Sequence, residues 1–244
     1  MPWFKEKNIY NYYEESLKFF EDKFIFITEP INVNNFANNV KHVMFHGEPL
    51  ITGDKVSTCA LKYLRNIFLN KKTYEFKPGK YVYISRNGSE NLPHIQEIFK
   101  TKKRQRQIFN YNSVREALSK YNFEFVNLED LNMEKKIELF QTSDIIMSPL
   151  SGSLTMSLFA NEKTSIVEIY PLEHVNIGEL RHYYNLCKQM GIEYHNFTDI
   201  DYCDNPTDVN MHIEIDKLHI FIKNLIYKKL QCREKHEIIA PKKV

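Results

Sequence analysis

The chain has 244 residues, of which 43% are hydrophobic and 26% charged, a composition typical of a globular protein with one large or two small cores. Its 33 Lys and Arg residues nearly balance its 31 Asp and Glu residues, and the net charge of +2 excludes a global attraction to nucleic acid or to an anionic membrane. The four cysteines lie far apart without CxxC spacing, which predicts reduced thiols rather than a disulfide framework or a zinc site.

The sequence pattern lacks segments that would insert into a membrane. The beginning of the chain has no apolar run of signal-peptide type, and no stretch approaches roughly 18 uncharged apolar residues. We therefore expect a cytoplasmic protein, in the cytoplasm of the host if the source is viral.

The amino-terminal part of the chain has the pattern of a small α/β unit. Helical spacing predicts helices over 9–21 and 58–69, and short β-branched or aromatic runs predict strands over 24–28 and 42–45. Residues 70–79, with Lys-Lys and Pro-Gly, have the composition of a linker. We place a first domain at residues 1–77.

Beyond this linker, apolar runs alternate with segments of helical period, as in the βα units of a parallel sheet. The pattern predicts a doubly wound, Rossmann-like domain over residues 78–212. A helix from 213 to about 238 would close the chain in a segment over 213–244 and could pack back on the first unit. Strands are predicted over 81–85, 123–128, 144–148, 165–170 and 193–197, and helices over 114–121, 133–141, 153–160 and 178–190.

In open α/β sheets ligands bind beyond the carboxyl ends of the strands, so polar residues at those ends are candidates for a site. The turn Ser151-Gly152-Ser153 follows the third strand and leads into a helix, whose first N–H groups and positive dipole end favour a phosphate. Because the chain has only seven glycines, we expect Gly152 to lie where the backbone requires glycine, and its missing side chain would let a ligand approach. The alternative is an ordinary strand-to-helix loop with Ser153 as N-cap.

Two further strand ends carry a charge. Arg86 follows the first strand and could bridge a diphosphate with its planar guanidinium, the alternative being a surface salt bridge. Glu168 interrupts an apolar run, and because an unpaired carboxylate is costly to bury, it should have a partner. Ribose hydroxyls are the favoured partner, and an internal Arg or backbone N–H groups are the alternative.

Signals for nucleic acid or metal binding are weak. The run at 100–106 carries five positive charges but lacks interleaved aromatic residues, which favours a solvated loop over an RNA-binding surface. The triplet Asp199-Ile-Asp201 has a metal-binding form that is frequent by chance, and the histidines show no HxxxH or HExxH grouping. We expect no metal site.

Ordered motifs across about half of the chain resemble those of glycosyltransferase family 61. In that family a strand ending in Arg is followed by an R-x-I-x-N segment, an H-G-A-x-L-T-N-x-L-F loop and a V-x-E strand. A weaker similarity lies near the start of the chain, where Tyr10-Asn-Tyr-Tyr-Glu-Glu-Ser-Leu17 resembles the family's H-W-x-x-E/D-x-L helix. The matching segments are Tyr81-Val-Tyr-Ile-Ser-Arg86, Arg106-Gln-Ile-Phe-Asn110, Phe123-Glu-Phe-Val126, Lys136-Ile-Glu-Leu-Phe140, residues 144–159 and Ile166-Val-Glu-Ile-Tyr-Pro171.

The resemblance implies an inverting transferase of the two-domain GT-B type that uses a nucleotide sugar, usually a UDP-sugar, with no cofactor and no essential metal. It also implies a glycan or protein acceptor, whereas nothing in the sequence indicates the oligomeric state. Two positions depart from the family pattern, because Leu150 and Asn11 stand where the family has His, so two potential proton carriers or phosphate ligands are missing. Carried over by position, the donor-binding candidates are Arg86, Arg106, Asn110, Ser151, Gly152, Ser153 and Glu168.

Three hypotheses follow for the function. The leading one is sugar transfer by single displacement, in which Glu15 takes the acceptor proton, while Arg86 and a helix beginning at Ser153 stabilise the departing diphosphate. The alternative for Glu15 is a solvent-facing helix residue. The second hypothesis, prompted by the two missing histidines, is an inactive relative that binds a nucleotide sugar or a partner enzyme. The third is an RNA-associated Rossmann-like protein that uses residues 100–106.

Overall fold

Strands and helices alternate along the chain in the computed structural model, which describes residues 51–52, 55–56, 58–69, 72–86, 108–170, 182–202 and 211–239. The first described elements are an antiparallel pair of short strands, β1 (Ile51–Thr52) and β2 (Lys55–Val56), followed by helix α1 (Thr58–Leu69). This confirms the helix predicted over 58–69. The helix predicted over 9–21 and the strands predicted over 24–28 and 42–45 lie outside the described residues.

Five parallel strands form the central sheet, in the spatial order β4-β3-β5-β6-β7. They are β3 (Tyr81–Ile84), β4 (Phe123–Val126), β5 (Ile145–Pro149), β6 (Ser165–Ile169) and β7 (Glu193–Phe197). All five predicted strands are confirmed, and their ends shift by up to two residues, as where Leu128 begins a short 3-10 turn instead of ending β4. The α/β class with a parallel, Rossmann-like sheet is therefore confirmed, whereas the two-domain GT-B arrangement stays a prediction.

The chain reverses its course across the sheet between β3 and β5. Helix α2 (Tyr111–Ser119) connects β3 to β4 on one side, and helix α3 (Met133–Thr142) then connects β4 to β5 on the other side of β3. From β5 the chain continues to β6, and helix α4 (His182–Met190) connects β6 to β7. Helix α2 packs on the face of the sheet that carries Tyr83, and α3 packs on the face that carries Ile84. Sheets wound in this way have a crevice at the carboxyl ends of the two central strands, where ligands bind.

The helices predicted over 114–121, 133–141 and 178–190 are confirmed with shifted ends. Helix α2 begins three residues earlier than predicted, and residues 178–181 lie outside the described ranges. Helix α3 begins after Asn132, whose side chain accepts a hydrogen bond from the N–H of Lys135 at 2.9 Å and so caps the helix.

The predicted α-helix over 153–160 is instead a 3-10 helix, Gly152–Phe159. Its first turn closes with a bond from the N–H of Leu154 to the carbonyl of Ser151 at 3.1 Å. Leu154 and Leu158, four residues apart, are both buried, so the segment keeps the apolar spacing of an α-helix although it is a 3-10 helix. The apolar pattern could therefore not distinguish the two kinds of helix.

Helix α1 packs directly on the helical layer of the sheet. The guanidinium of Arg65 donates to the carbonyl of Leu158 at 2.6 Å, and burial lowers the pKa of this arginine. The domain boundary predicted after residue 77 stays a prediction, but the helix on its amino-terminal side belongs to the same packed layer as α3, α4 and the 3-10 helix. The cluster that joins them contains Leu61, Ile67, Phe68, Met133, Ile137, Leu158, Phe159 and Leu186.

The predicted closing helix is confirmed as α5 (Ile215–Ile239). It follows a hairpin of β8 (Ile200–Tyr202) and β9 (Met211–Ile213), which the sequence pattern did not predict. Buried Leu218 and Ile222 pack on the face of the sheet that α2 covers, so α5 packs on the sheet and on α2. Packing of α5 on the first unit, most of which lies outside the described residues, stays a prediction. None of the helices in the described ranges is long and apolar enough to cross a membrane.

Ion pairs join the last part of α5 to the amino edge of the sheet. Asp144, just before β5, is 1% exposed, accepts a hydrogen bond from Arg233 and lies 3.6 Å from Nζ of Lys229. Glu193, the first residue of β7, accepts from Nζ of Lys228 at 2.6 Å and lies 3.6 Å from Nζ of Lys229. Three basic side chains of one helix thus neutralise two acids at the edge opposite to the crevice.

Candidate functional site

At the crevice between β3 and β5, Arg86 contacts the loop that follows β5. Its Nη1 donates to the carbonyl of Leu150 at 3.2 Å. The N–H of Leu150 donates in turn to the carbonyl of Ile169, at the end of β6, at 3.1 Å. The two strand ends that were predicted to form a site therefore do meet, and main-chain bonds fix the loop between them.

Two buried serines, Ser148 and Ser151, lie at the start of this loop. Oγ of Ser148 donates to the carbonyl of Pro149 at 2.9 Å and lies 3.4 Å from Oγ of Ser151. Ser151 occupies the N-cap position of the 3-10 helix and makes no side-chain capping bond. The alternative with Ser153 as N-cap, like the expectation of a helix beginning at Ser153, is therefore wrong. Ser153 lies half-buried in the first turn.

Gly152 is the first residue of the 3-10 helix and is exposed. A Cβ added there would meet nothing within 4 Å, and positive φ angles are found instead at Gly79 and Gly191. The expectation that the backbone requires glycine at this position is therefore wrong. The open space remains relevant, because the first N–H groups of a helix have no partner inside it and lie at its positive dipole end.

Glu168, the fourth residue of β6, is 2% exposed and has an internal partner. The phenol of Tyr194, on the adjacent β7, donates a hydrogen bond to its Oε2. Burial, and after it the carboxylate of Glu168, raise the pKa of Tyr194 well above its ordinary value, so the phenol stays protonated and donates. The predicted internal alternatives were an arginine or backbone N–H groups, not a tyrosine, and ribose binding by Glu168 stays a prediction.

Asn110 uses its side-chain amide on the protein's own backbone. Its Nδ2 donates to the carbonyl of Ile213 at 2.7 Å, and its Oδ1 accepts from the N–H of the same residue at 3.0 Å. Asn110 also occupies the N-cap position of α2, where its carbonyl accepts from the N–H of Val114 at 3.1 Å. These bonds join the start of α2 to β9 and give Asn110 a structural role, while donor binding by this residue stays a prediction.

Other predicted site residues lie outside the described ranges. They are Glu15, Arg106, Asn11 and the basic run at 100–106. Asp199, from the Asp-x-Asp triplet, forms an ion pair with Lys217 at 3.2 Å. In the part of the chain that the structure describes, no three His, Cys, Asp or Glu residues are grouped so that they could hold a metal ion.

Tyr194 and Ile213 are the partners that the sequence did not reveal. They lie 26 residues after Glu168 and 103 residues after Asn110. The one available signal for Tyr194 is strand register, since Glu168 is paired with Asn196 and the residue two positions earlier on β7 points to the same face.

The sheet order, the crossovers and the polar crevice define a doubly wound α/β protein that is compatible with the Rossmann-like folds. The chain belongs to glycosyltransferase family 61, because the family model Glycosyltransferase 61 matches residues 19–167, more than half of its 244 residues. The match includes Arg86 and the loop after β5, whereas Glu15 precedes it and Glu168 follows directly after it. No curated protein sequence matches the chain. Family membership implies a transferase with a sugar donor and an acceptor as substrates.

Proposed function

We propose that the protein transfers a sugar from a UDP-sugar to an acceptor hydroxyl, by a single displacement that inverts the anomeric carbon. The observation that carries this proposal is the contact of Arg86 with the loop at the crevice, in a chain that belongs to glycosyltransferase family 61. This contact places a cation beside the first turn of a helix, and both groups favour a diphosphate.

The displacement requires stabilisation of the leaving group. The acceptor oxygen bonds to the anomeric carbon as the bond to the diphosphate oxygen breaks, and negative charge develops on the diphosphate. Fixed positive groups at that place lower the barrier because they need no reorganisation during the reaction. Arg86, oriented by its bond to Leu150, and the first N–H groups of the 3-10 helix would supply this stabilisation, with Arg106 as a further contributor.

The acceptor hydroxyl must also lose its proton. We assign this step to Glu15, on the basis of the resemblance of its segment to the acceptor-side helix of the family. Glu168 would bind the ribose of the donor, and the hydrogen bond from Tyr194 would fix the orientation of its carboxylate.

Thermal-shift measurements with a panel of UDP-sugars test this proposal. Binding to the folded state raises the melting temperature, and Arg86→Ala should remove most of that increase because it removes the cation at the diphosphate. Arg115→Ala is the matched control, since Arg115 is exposed on α2 and lies over the ring of Phe125 instead of at the crevice. An unchanged shift in Arg86→Ala would contradict the assignment, as would an equal loss in both variants.

One observation favours a second candidate, a protein that binds a nucleotide sugar without turning it over. Leu150 stands at the position where the family loop has His, and its side chain is 7% exposed, so it offers no proton-carrying group there. A UDP-sugar that binds the wild type without transfer to any acceptor would favour this candidate. Transfer with an inverted product, identified by NMR of the anomeric proton, would exclude it.

A further inference from the structure

Helix α5 carries apolar side chains on two opposite faces, and the structure covers one of them. Buried Leu218 and Ile222 pack on the sheet. On the outer face, Ile220, Tyr227 and Leu230 are 62%, 61% and 46% exposed. Among the large hydrophobic side chains of the described residues, Ile220 and Tyr227 are the most exposed. Large apolar side chains that share one exposed face indicate an interaction surface.

The exposed apolar residues have the spacing of a coiled-coil interface. Tyr227 lies seven residues after Ile220, and Leu230 lies three residues after Tyr227. Residues with this heptad spacing line one side of a helix and pack against a second helix. The same line of positions includes two charged residues, Lys223 and Glu234. We call the five residues together the outer seam.

The two charged residues of the outer seam are not engaged within the helix. Lys223 and Glu234 are exposed, and no residue of opposite charge lies three or four positions away from either of them. Both charges are therefore available to a partner. In the part of the chain that the structure describes, the ion pairs of α5 are formed instead by Lys217, Lys228, Lys229 and Arg233.

The outer seam is complementary to a second copy of itself that runs in the opposite direction. A two-fold axis midway between Lys223 and Glu234 places each of them opposite the other residue of the second copy. The same axis places Tyr227 opposite Leu230. Two apolar layers at the centre are then flanked at each end by a pair of opposite charges. A parallel pair in register would instead set lysine against lysine and glutamate against glutamate.

We propose that two copies of the chain form a dimer in which the outer seams of their α5 helices pack antiparallel. The order of charges along the outer seam favours a second copy as the occupant of this face. Helix α5 begins beside the end of β7, where the N–H of Glu214 donates to the carbonyl of Asp199, and it ends at the amino edge of the sheet. The antiparallel arrangement therefore turns the crevices of the two copies to opposite ends of the dimer.

Sedimentation equilibrium over the micromolar range tests the dimer. The average mass should rise with concentration toward twice the mass of one chain, since a small interface of this kind supports a weak dimer. Tyr227→Ala should weaken the association by about ten-fold or more, because it removes an apolar side chain from both central layers. Tyr63→Ala is the matched control, since Tyr63 is 54% exposed on α1, outside the outer seam.

Two results of this experiment would overturn the inference. A wild type that stays monomeric at every concentration would leave the first unit of the same chain, or a different protein, as the occupant of the outer seam. An equal loss of association in Tyr227→Ala and Tyr63→Ala would show that the dimer does not depend on the outer seam.

Exchange of the charges tests the antiparallel arrangement. Lys223→Glu and Glu234→Lys each set like charges against each other at both ends of the outer seam, so each variant alone should associate about ten-fold more weakly than the wild type. A mixture of the two variants should form a mixed dimer, because every pair then has opposite charges again. Both side chains are exposed, so we expect both variants to fold. Wild-type association of either variant alone, or a mixture that associates no better than its components, would overturn the inference.

Discussion

The hydrogen bond from Tyr194 to Glu168 holds a carboxylate inside the protein, next to the candidate site. Glu168 is 2% exposed, and a buried charge is stable only where polar groups replace its lost hydration. The phenol therefore stabilises the fold, because it replaces part of the hydration that the carboxylate loses on burial.

Tyr194→Phe tests this contribution to stability. We expect the free energy of unfolding to fall by about 2 kcal/mol in urea denaturation, because the variant removes a hydrogen bond to a buried charged group. Tyr184→Phe is the matched control, since Tyr184 packs against the ring of Tyr194 but is 42% exposed. Equal stability of the two variants would contradict a structural role of the phenol.

For single residues, the sequence predicted which side chains need a polar partner better than it predicted which residue the partner is. The need of Glu168 for a partner followed from its apolar neighbours, but the identity of Tyr194 depends on the register of β6 and β7, which no local pattern contains. Arg86 was found because the ends of parallel strands meet at one edge of a sheet. Gly152 was assigned for the wrong reason, since its backbone conformation is open to other residues.

Helix α5 is attached to the sheet by apolar packing and by the ion pairs at the amino edge. Glu193 is the centre of one group of these contacts. His195, whose Nε2 lies 3.2 Å from Oε1 of Glu193, and hydrogen bonds from Lys228 and Ser165 hold the pKa of Glu193 well below its ordinary value of 4.5, although burial opposes the shift. The charged form of Glu193 therefore stabilises the folded state.

This shift predicts a pH dependence of stability. The folded carboxyl has the lower pKa, so the unfolded chain binds the proton more readily and the stabilisation is present above the ordinary value and lost below it. We expect the free energy of unfolding of the wild type to fall more steeply than that of Glu193→Gln between about pH 6 and about pH 3. Glu124→Gln, at an exposed position of β4, should keep the wild-type slope. Parallel curves for the wild type and Glu193→Gln would refute the role of this contact.

Helices and strands with a regular spacing of apolar residues were predictable from the sequence, whereas the shortest elements were not. The five strands and helices α1 to α5 follow from their apolar patterns, because each buries a face or a stripe. The hairpin of β8 and β9 escaped detection because each strand has three residues, too few to show an alternation. The 3-10 helix was predicted as an α-helix because its buried Leu154 and Leu158 have the four-residue spacing of an α-helix.

For the whole molecule, the central feature is the crevice at which the winding of the sheet reverses. The sequence predicted a doubly wound sheet but not its strand order, since hydrophobic pattern does not specify which strands are neighbours. That order brings Arg86 and the loop after β5 together at the crevice. The candidate base, Glu15, lies outside the described residues and precedes the segment that the family model matches, so its assignment rests on the resemblance of residues 10–17 to a family helix.

Titration of Gly152→Asp with UDP tests most directly whether the nucleotide binds at this crevice. The new side chain has open space, and an acid at the first turn of a helix is favourable, so the fold should keep its stability. Its charge would nevertheless repel a diphosphate at the same N–H groups, and we expect the affinity for UDP to fall by at least about ten-fold, while Gly152→Ala stays near the wild type. A Gly152→Asp variant that binds UDP as tightly as the wild type would show that the phosphates do not bind at the 3-10 helix.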